Sequence, residues 1–210
     1  LLNAVENERM NIALPLTGSG IRGLRFLQEL GRNKMNHIFF NDKKENFSRV
    51  MKDNLKLNKI KTKNISIFNQ EASLFLLNQV ESTKKPPKFC GYFDYIDLDP
   101  FGSPNSFISA AISRLPRDGI LAVTATDTAA LTGTYPKVTT RKYWSTSQKN
   151  WMMHETGLRI LIRKIQLHGV QFDKALTPML AYHKDHYFRM YFRASKGKQK
   201  CDTLLKQHQY

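Results

Sequence analysis

The stretch Tyr92-Phe93-Asp94-Tyr95-Ile96-Asp97-Leu98-Asp99-Pro100-Phe101-Gly102 decides how the rest of the chain is read. A β-rich apolar run ends at an acid, then proline, an aromatic residue and glycine. That pattern is a buried strand whose C-terminal end drops into a tight loop. Open α/β sheets bind ligands just beyond the carboxyl ends of their strands. Asp-Pro-aromatic at such an end suits one task, which is gripping an amino group on a flat ring. Asp99 accepts a hydrogen of the amine, the Pro100 carbonyl is a second acceptor, and Phe101 offers a face to stack on. Two acceptors in a fixed fork draw the nitrogen lone pair out of conjugation and aim it. The competing reading is an ordinary turn, because Asp-Pro and Pro-x-Gly are turn formers. The neighbouring segments weigh between the two.

Upstream, Asn11 to Leu16 is a short apolar run feeding Thr17-Gly18-Ser19-Gly20-Ile21-Arg22-Gly23. Leu24, Phe26, Leu27 and Leu30 then recur at helical spacing, with Gly31 as C-cap. Gly18, Gly20 and Gly23 therefore lie in a strand–turn–helix context. There glycines let the backbone approach a ligand and the helix start favours negative charge. A second strand, His37 to Phe40, ends at Asn41-Asp42. Asp42 falls about 20 residues past the glycines, where an acid binds ribose hydroxyls in dinucleotide folds. It also precedes the helix carrying Phe47, Val50, Met51 and Leu55 and so reads as an N-cap, and both roles can hold together. A third strand, Asn64 to Phe68, leads to Asn69-Gln70-Glu71-Ala72 and a helix with Leu74, Leu77 and Val80. Taken alone, Glu71 reads as a cap.

Residues 81–91 carry Lys84-Lys85-Pro86-Pro87-Lys88 and read as an exposed basic loop. Past the opening stretch, Pro104 starts a helix with Phe107, Ile108, Ala111 and Ile112. The turn Leu115-Pro116-Arg117-Asp118-Gly119 leads into a fifth strand, Ile120 to Ala125. Asp127 to Lys149 lacks periodicity and is expected as a long functional loop. Its Tyr135, Lys137, Arg141, Lys142, Tyr143 and Trp144 have the texture of base stacking and phosphate pairing. A partly helical surface excursion is the alternative. Trp151 to Leu167 is a helix. His154-Glu155 near its start has no second histidine at zinc spacing, so no metal is expected. Phe172 to Tyr182 and His186 to Phe192 are two strands joined at His183-Lys184-Asp185. Residues 194–210 are polar and basic and are expected as a tail or linker.

With 210 residues and 41% hydrophobic content, one domain with a real core is expected. No apolar run approaches the roughly 20 residues of a membrane span, and no signal-peptide pattern is present. Cys90 and Cys201 make neither a metal spacing nor a disulfide framework, so a reducing, cytoplasmic setting is the simplest expectation. The formal net charge is +16. A pI near 9.9 exceeds the threshold of about 9 used for nucleic-acid binders. Lysines cluster at Lys52, Lys56, Lys59, Lys61 and Lys63 and again at Lys196, Lys198 and Lys200. A polyanionic partner is favoured because each neutralised phosphate releases counterions. A solvated lysine-rich face is the alternative.

Strand and helix thus alternate about five times before an antiparallel hairpin closes the order. Alternation implies a parallel sheet with right-handed crossovers. A terminal hairpin is how class I methyltransferases end and is foreign to dehydrogenase sheets. The expected fold is α/β and Rossmann-like. It has a mostly parallel seven-stranded sheet closed by that hairpin, with helices on both faces, over residues 1–193.

At this point the chain resembles the tRNA (guanine-26-N2)-dimethyltransferase family, in a form close to archaeal members. The matches run from Gly20-Ile21-Arg22-Gly23-Leu24-Arg25-Phe26 through Asn41-Asp42 to Ile96-Asp97-Leu98-Asp99-Pro100-Phe101-Gly102-Ser103-Pro104. They continue with Thr124-Ala125-Thr126-Asp127, Arg141-Lys142-Tyr143, His154-Glu155, Gly157-Leu158-Arg159-Ile160-Leu161 and Asp185-His186-Tyr187-Phe188-Arg189. The resemblance implies S-adenosylmethionine as methyl donor. Gly18 and Gly20 would face its methionine part, Arg22 its carboxylate, Asp42 its ribose, and Glu71 with Ala72 its adenine. It implies that Asp99, Pro100 and Phe101 hold a guanine extruded from a tRNA. tRNA is the implied partner, with neither a membrane nor a protein partner. Two departures stand out. Leu14, beside Pro15, replaces an acid usual in the family near the end of strand one, an exchange expected to weaken donor binding. The family also has a segment before strand one and a C-terminal tRNA-holding domain. On that count the chain is expected to be a catalytic core or a truncated member. The rival readings are an amino methyltransferase acting on ribosomal RNA guanine or DNA adenine, and a non-catalytic RNA-binding remnant.

Overall fold

The computed structural model describes residues 9–30, 33–61, 63–77 and 91–208. Gly31, Val80, Cys90 and the basic loop at Lys84 to Lys88 lie outside the described residues. Contacts divide the chain into two compact units, Leu1–Asp97 with Arg114–Pro116 and Leu98–Ser113 with Arg117–Tyr210. The strands form one hydrogen-bonded sheet in the order β3-β2-β1-β4-β5-β7-β6. This is the mostly parallel sheet with a closing hairpin that marks the class I methyltransferase fold.

The first unit runs β1 (Met10–Leu14), α1 (Ile21–Glu29), β2 (Met35–Asn41), α2 (Phe47–Leu57), β3 (Ile65–Phe68), α3 (Ala72–Leu77) and most of β4 (Tyr95–Leu98). β1 pairs in parallel with β2 and with β4, and β2 with β3. β4 is buried along its whole length, so its residues show no in-out alternation, and its one acid, Asp97, is buried with the rest. Aromatic rings fill the space beside these strands. Phe93 meets Phe39 at 5.3 Å edge to face and Phe75 at 6.1 Å, and Phe75 meets Phe68 at 5.3 Å. Burying each such ring is worth about 1.5–3 kcal/mol.

The second unit holds α4 (Asn105–Ser113), β5 (Ile120–Ala125), α5 (Thr128–Leu131), α6 (Pro136–Tyr143), α7 (Met153–Val170), β6 (Lys174–Lys184), β7 (Tyr187–Lys196) and α8 (Lys198–Lys206). β5 and β6 each pair antiparallel with β7. β5 spans the residues expected for it and is buried throughout. Lys174 is 8% exposed, and its ammonium donates to the Ile112 carbonyl at 2.6 Å and the Ser113 carbonyl at 3.2 Å. It thereby satisfies carbonyls at the end of α4 that have no helical partner.

Three expectations change. The stretch 127–149 is not a structureless loop, because α5 and α6 form within it. Pro136 stands at the start of α6, where its missing N–H costs nothing. These helices are too short for apolar periodicity to show. The hairpin turns at Asp185-His186, with Asp185 at φ 48, so His183 and Lys184 belong to β6. Residues 194–206 carry the end of β7 and α8, with Cys201 buried.

Candidate active site

In the first unit the turn after β1 is built by backbone bonds and one acid. Gly18, at φ 60, donates its N–H to Asp42 Oδ2 at 2.8 Å, and Lys44 N–H donates to Asp42 Oδ1 at 3.1 Å. Asp42 is 9% exposed. Each of its oxygens keeps lone-pair capacity beyond these single bonds. It does not cap α2, whose N-cap residue is Asn46. Asn41 is fully buried and ties three strand ends together. Its amide donates to the Pro15 and Gln70 carbonyls and its oxygen accepts from Gln70 N–H. That knot fixes the neighbouring Asp42.

Gly20 precedes α1 at φ 85, and a Cβ there would meet Met51 Sδ at 2.5 Å. α1 starts with no side-chain cap and no acid in its first turn. An uncapped helix start with an adjacent guanidinium favours an incoming carboxylate. That guanidinium is Arg22, which bonds Asp97 Oδ1 at 2.9 Å. Asp97, 2% exposed, also takes the Tyr95 hydroxyl at 2.9 Å. A buried anion on β4 thus anchors the arginine. Glu71 is exposed and accepts Leu74 N–H at 2.9 Å, which makes it the cap of α3, while Ala72 is buried. Leu14 is 4% exposed, and its Cδ1 lies 2.7 Å from where a Cβ on Gly23 would stand.

In the second unit, Asp99 is half-buried, Pro100 is buried and Phe101 is 98% exposed. A phenyl ring bared to that degree, beside a carboxylate on a fixed loop, is an offered surface. Gly102, at φ 82, locks the loop to the end of β5. Its N–H donates to Thr126 Oγ1 at 2.6 Å, and Thr126 N–H donates back to its carbonyl at 2.9 Å. The positive φ is the reason glycine follows the aromatic here.

A second brace comes from α6. The Tyr143 hydroxyl donates to Asp127 Oδ1 at 2.6 Å and lies 3.1 Å from Ser103 Oγ. Lys142 reaches Asp127 Oδ2 at 3.3 Å, and Asn105 donates to the Lys142 carbonyl at 2.8 Å. Burial and the Asp127 carboxylate together drive the Tyr143 phenol far above its ordinary value, so it remains a donor. The sequence alone assigns Asp97, Thr126 and Asp127 no role, and the base-stacking expectation for Tyr143 does not hold, because its ring is fully buried and its hydroxyl braces Asp127 and Ser103. The available signal was Thr126-Asp127, two polar residues directly after a fully buried, mostly apolar strand. Among the described residues no group of three or more His, Cys, Asp or Glu side chains is placed to hold a metal, and no helix is long and apolar enough to cross a membrane.

This arrangement can hold a nucleoside-bearing ligand on the first unit and a flat amine on the second. Solved structures agree on the class. The chain superposes on Trm5b from Pyrococcus abyssi with a TM-score of 0.59 at 13% identity, over 92% of this chain and 46% of that one, which shows the fold alone. The complex of Trm1 from Pyrococcus horikoshii with S-adenosyl-L-methionine gives a TM-score of 0.83 at 33% identity, over 93% of this chain and 53% of that one. The fold is that of a class I methyltransferase.

The family model for N2,N2-dimethylguanosine tRNA methyltransferase matches residues 2–210, and the chain belongs to that family. It is 40% identical over 202 residues to the tRNA (guanine(26)-N(2)/guanine(27)-N(2))-dimethyltransferase of Aquifex aeolicus, covering 96% of this chain and 48% of that protein. It is 38% identical over 201 residues to the tRNA (guanine(26)-N(2))-dimethyltransferase of Methanobrevibacter smithii, again over 96% and 48%. The chain spans about half the length of these curated relatives.

Proposed function

We propose that this chain is the catalytic part of an enzyme that methylates the exocyclic N2 of guanine 26 in tRNA, giving N2-methyl- and N2,N2-dimethylguanine, in a reducing cytoplasmic setting. The observation that carries the reading is Phe101, 98% exposed on a loop clamped at Gly102 and adjoining Asp99 and Pro100. Family membership supports the same reading.

Several features fit S-adenosylmethionine. Gly18 leaves open space where a Cβ would stand, α1 has no side-chain cap and no acid in its own first turn, and the Asp42 carboxylate is set by two N–H donors. Gly18, Gly20 and Arg22 would hold its methionine part, Asp42 its ribose, and Glu71 with Ala72 its adenine. When bound, it supplies an electrophilic methyl on a sulfonium.

The remaining work falls to this chain's own groups. The guanine amine is a poor nucleophile because its lone pair is shared with the ring. Asp99 accepts one amine hydrogen and the Pro100 carbonyl accepts the other, which turns the lone pair out of the ring plane. Phe101 stacks on the extruded base and fixes that plane. With the methyl coming from the donor's sulfonium, the S–CH3 bond would break as the N–CH3 bond forms and the amine would give up one proton, which Asp99 is placed to take and pass to water, so positioning outweighs charge stabilisation. The second methylation needs space for one methyl beside Asp99.

The test is mass spectrometry of nucleosides from tRNA incubated with the chain and donor, with ribosomal RNA and duplex DNA alongside. Methylated N2-guanine confined to tRNA is expected. Asp99→Ala is expected to abolish it while donor binding by calorimetry is retained. Methyl transfer by the Asp99→Ala chain, or product on adenine, overturns the assignment.

A further inference from the structure

We propose that Trp144 is a second base-stacking platform, taking an unpaired nucleobase of the RNA outside the Asp99-Pro100-Phe101 loop. The proposal rests on the reading of the protein as an RNA-modifying enzyme. Trp144 follows α6 in a left-handed conformation, φ 54, and is 52% exposed. Its indole is held from α7. Lys164 Nζ lies 2.9 Å from the ring centroid, and the His168 ring stacks on it at 5.6 Å and 14°. Lys164 and His168 are four residues apart and therefore share one face of α7. Arg163 also donates to the Trp144 carbonyl at 3.1 Å.

These contacts fix the ring plane before anything binds, which removes the ordering cost that an unsupported surface tryptophan carries. A ring whose only task was to cover Lys164 gains by sinking onto it completely. Lys164 is 3% exposed, yet Trp144 as a residue keeps about half of its surface in water. Within seven residues of it in the chain are the exposed cations Lys137, Arg141, Lys142 and Lys149, of which Lys142 also reaches Asp127. Their charge favours a phosphate-bearing occupant over an acid-poor protein segment. An aromatic face flanked by such cations matches how single-stranded RNA is held, by stacking and phosphate pairing together. The platform also shares a support with the base-holding loop. Tyr143, the residue before Trp144, contacts Ser103, two residues beyond Phe101. A base seated on Trp144 therefore sits on the same brace that sets the loop.

The chain has two tryptophans, Trp144 and Trp151, and Trp151 is 89% exposed. Trp151→Phe, at so exposed a position, is expected to leave the fold undisturbed and Trp144 as the sole tryptophan, excited selectively over tyrosine. The probe is a tRNA carrying adenine in place of the target guanine, which stacks but accepts no methyl. Saturable quenching of Trp144 emission is expected. In turnover with ordinary tRNA, Trp144→Ala is expected to raise KM about tenfold with kcat nearly unchanged, and Trp144→Phe to recover most of the loss. Binding of the probe in a gel-shift assay with emission unmoved, or an unchanged KM in Trp144→Ala, overturns the platform and leaves the proposed function standing. Quenching without any methylation of ordinary tRNA keeps the platform and overturns the proposed function. A chain that neither binds the probe nor methylates tRNA overturns both.

Discussion

Tyr143 donates its hydroxyl to Asp127 across 2.6 Å, and this single bond joins α6 to the end of β5 directly beside the Asp99-Pro100-Phe101 loop. Tyr143 is fully buried, so nothing outside the protein competes for that proton. Tyr143→Phe keeps the ring packing and removes only the hydroxyl. Loss of a buried hydrogen bond to a charged group is expected to lower stability by about 1.5–3 kcal/mol. Because Ser103 also loses its contact, the loop loosens, and kcat is expected to fall about tenfold with donor affinity unchanged. Chemical denaturation, steady-state methylation kinetics and calorimetry with S-adenosylmethionine measure stability, kcat and donor affinity separately. A stability loss with full kcat would restrict Tyr143 to a structural role.

Phe101 is expected to behave in the opposite way. A side chain that is 98% exposed contributes almost nothing to folding, so Phe101→Ala is expected to change stability by less than about 0.5 kcal/mol. The lost base stack is worth about 1–3 kcal/mol, which corresponds to a tRNA KM raised roughly five- to 150-fold. Phe101→Tyr restores a stacking face and is expected to recover most of it. Steady-state kinetics beside a thermal melt decide the matter. A melt that drops with Phe101→Ala counts against an offered ring.

Much of this layout was legible in the residues themselves. β5, Ile120–Ala125, could be read to the residue because an all-buried strand is a nearly unbroken apolar run, here interrupted only by Thr124 and ending at Thr126-Asp127. The glycine-rich turn and Asp42 were also legible, because strand, glycine and acid spacing are local features. Three things were hidden because they depend on long-range partners. Asp97 looks like one more residue of a strand until Arg22, 75 residues earlier, is found against it. Tyr143 acquires its meaning only from Asp127 and Ser103. The helices α5 and α6 have four and eight residues, too few for a 3.6-residue period to emerge from a polar background.

Two glycines at the junction of β1 and α1 are expected to fail for different reasons on substitution. Gly23 sits inside α1, where helical geometry suits alanine, but a Cβ there would stand 2.1 Å from Phe40 Cε1 and 2.7 Å from Leu14 Cδ1. Gly23→Ala is expected to lose about 1–3 kcal/mol through overpacking of ring and leucine. Gly20 adds a left-handed backbone, φ 85, to a clash with the Met51 thioether. Gly20→Ala is therefore expected to lower donor affinity as well as stability, because the turn itself must move. Pairing Gly20→Ala with Met51→Ala relieves only the clash. Recovery of donor binding in that double variant would show that the backbone conformation matters less than the space.

The acid side of neutrality is expected to weaken the fold through its histidines. Burial holds His37, His168, His183 and His208 below their ordinary value of 6.5. For His183, the His154 ring stacked 3.9 Å away and the nearby His186 add to the effect, while Asp185 opposes it. A histidine depressed in the folded state stays neutral where the unfolded chain already binds a proton. Between the two values the unfolded state holds more protons, so stability rises with pH there. Going down from pH 7, the loss begins near 6.5 and stops growing below the depressed values. Asp94, lifted by burial, works in the other sense. The melting temperature is therefore expected to fall from pH 7 to pH 5, and to fall less in His183→Asn, which removes one of the four groups. Parallel slopes for the two proteins across that range would mean that the His154–His183 stack does not resist protonation.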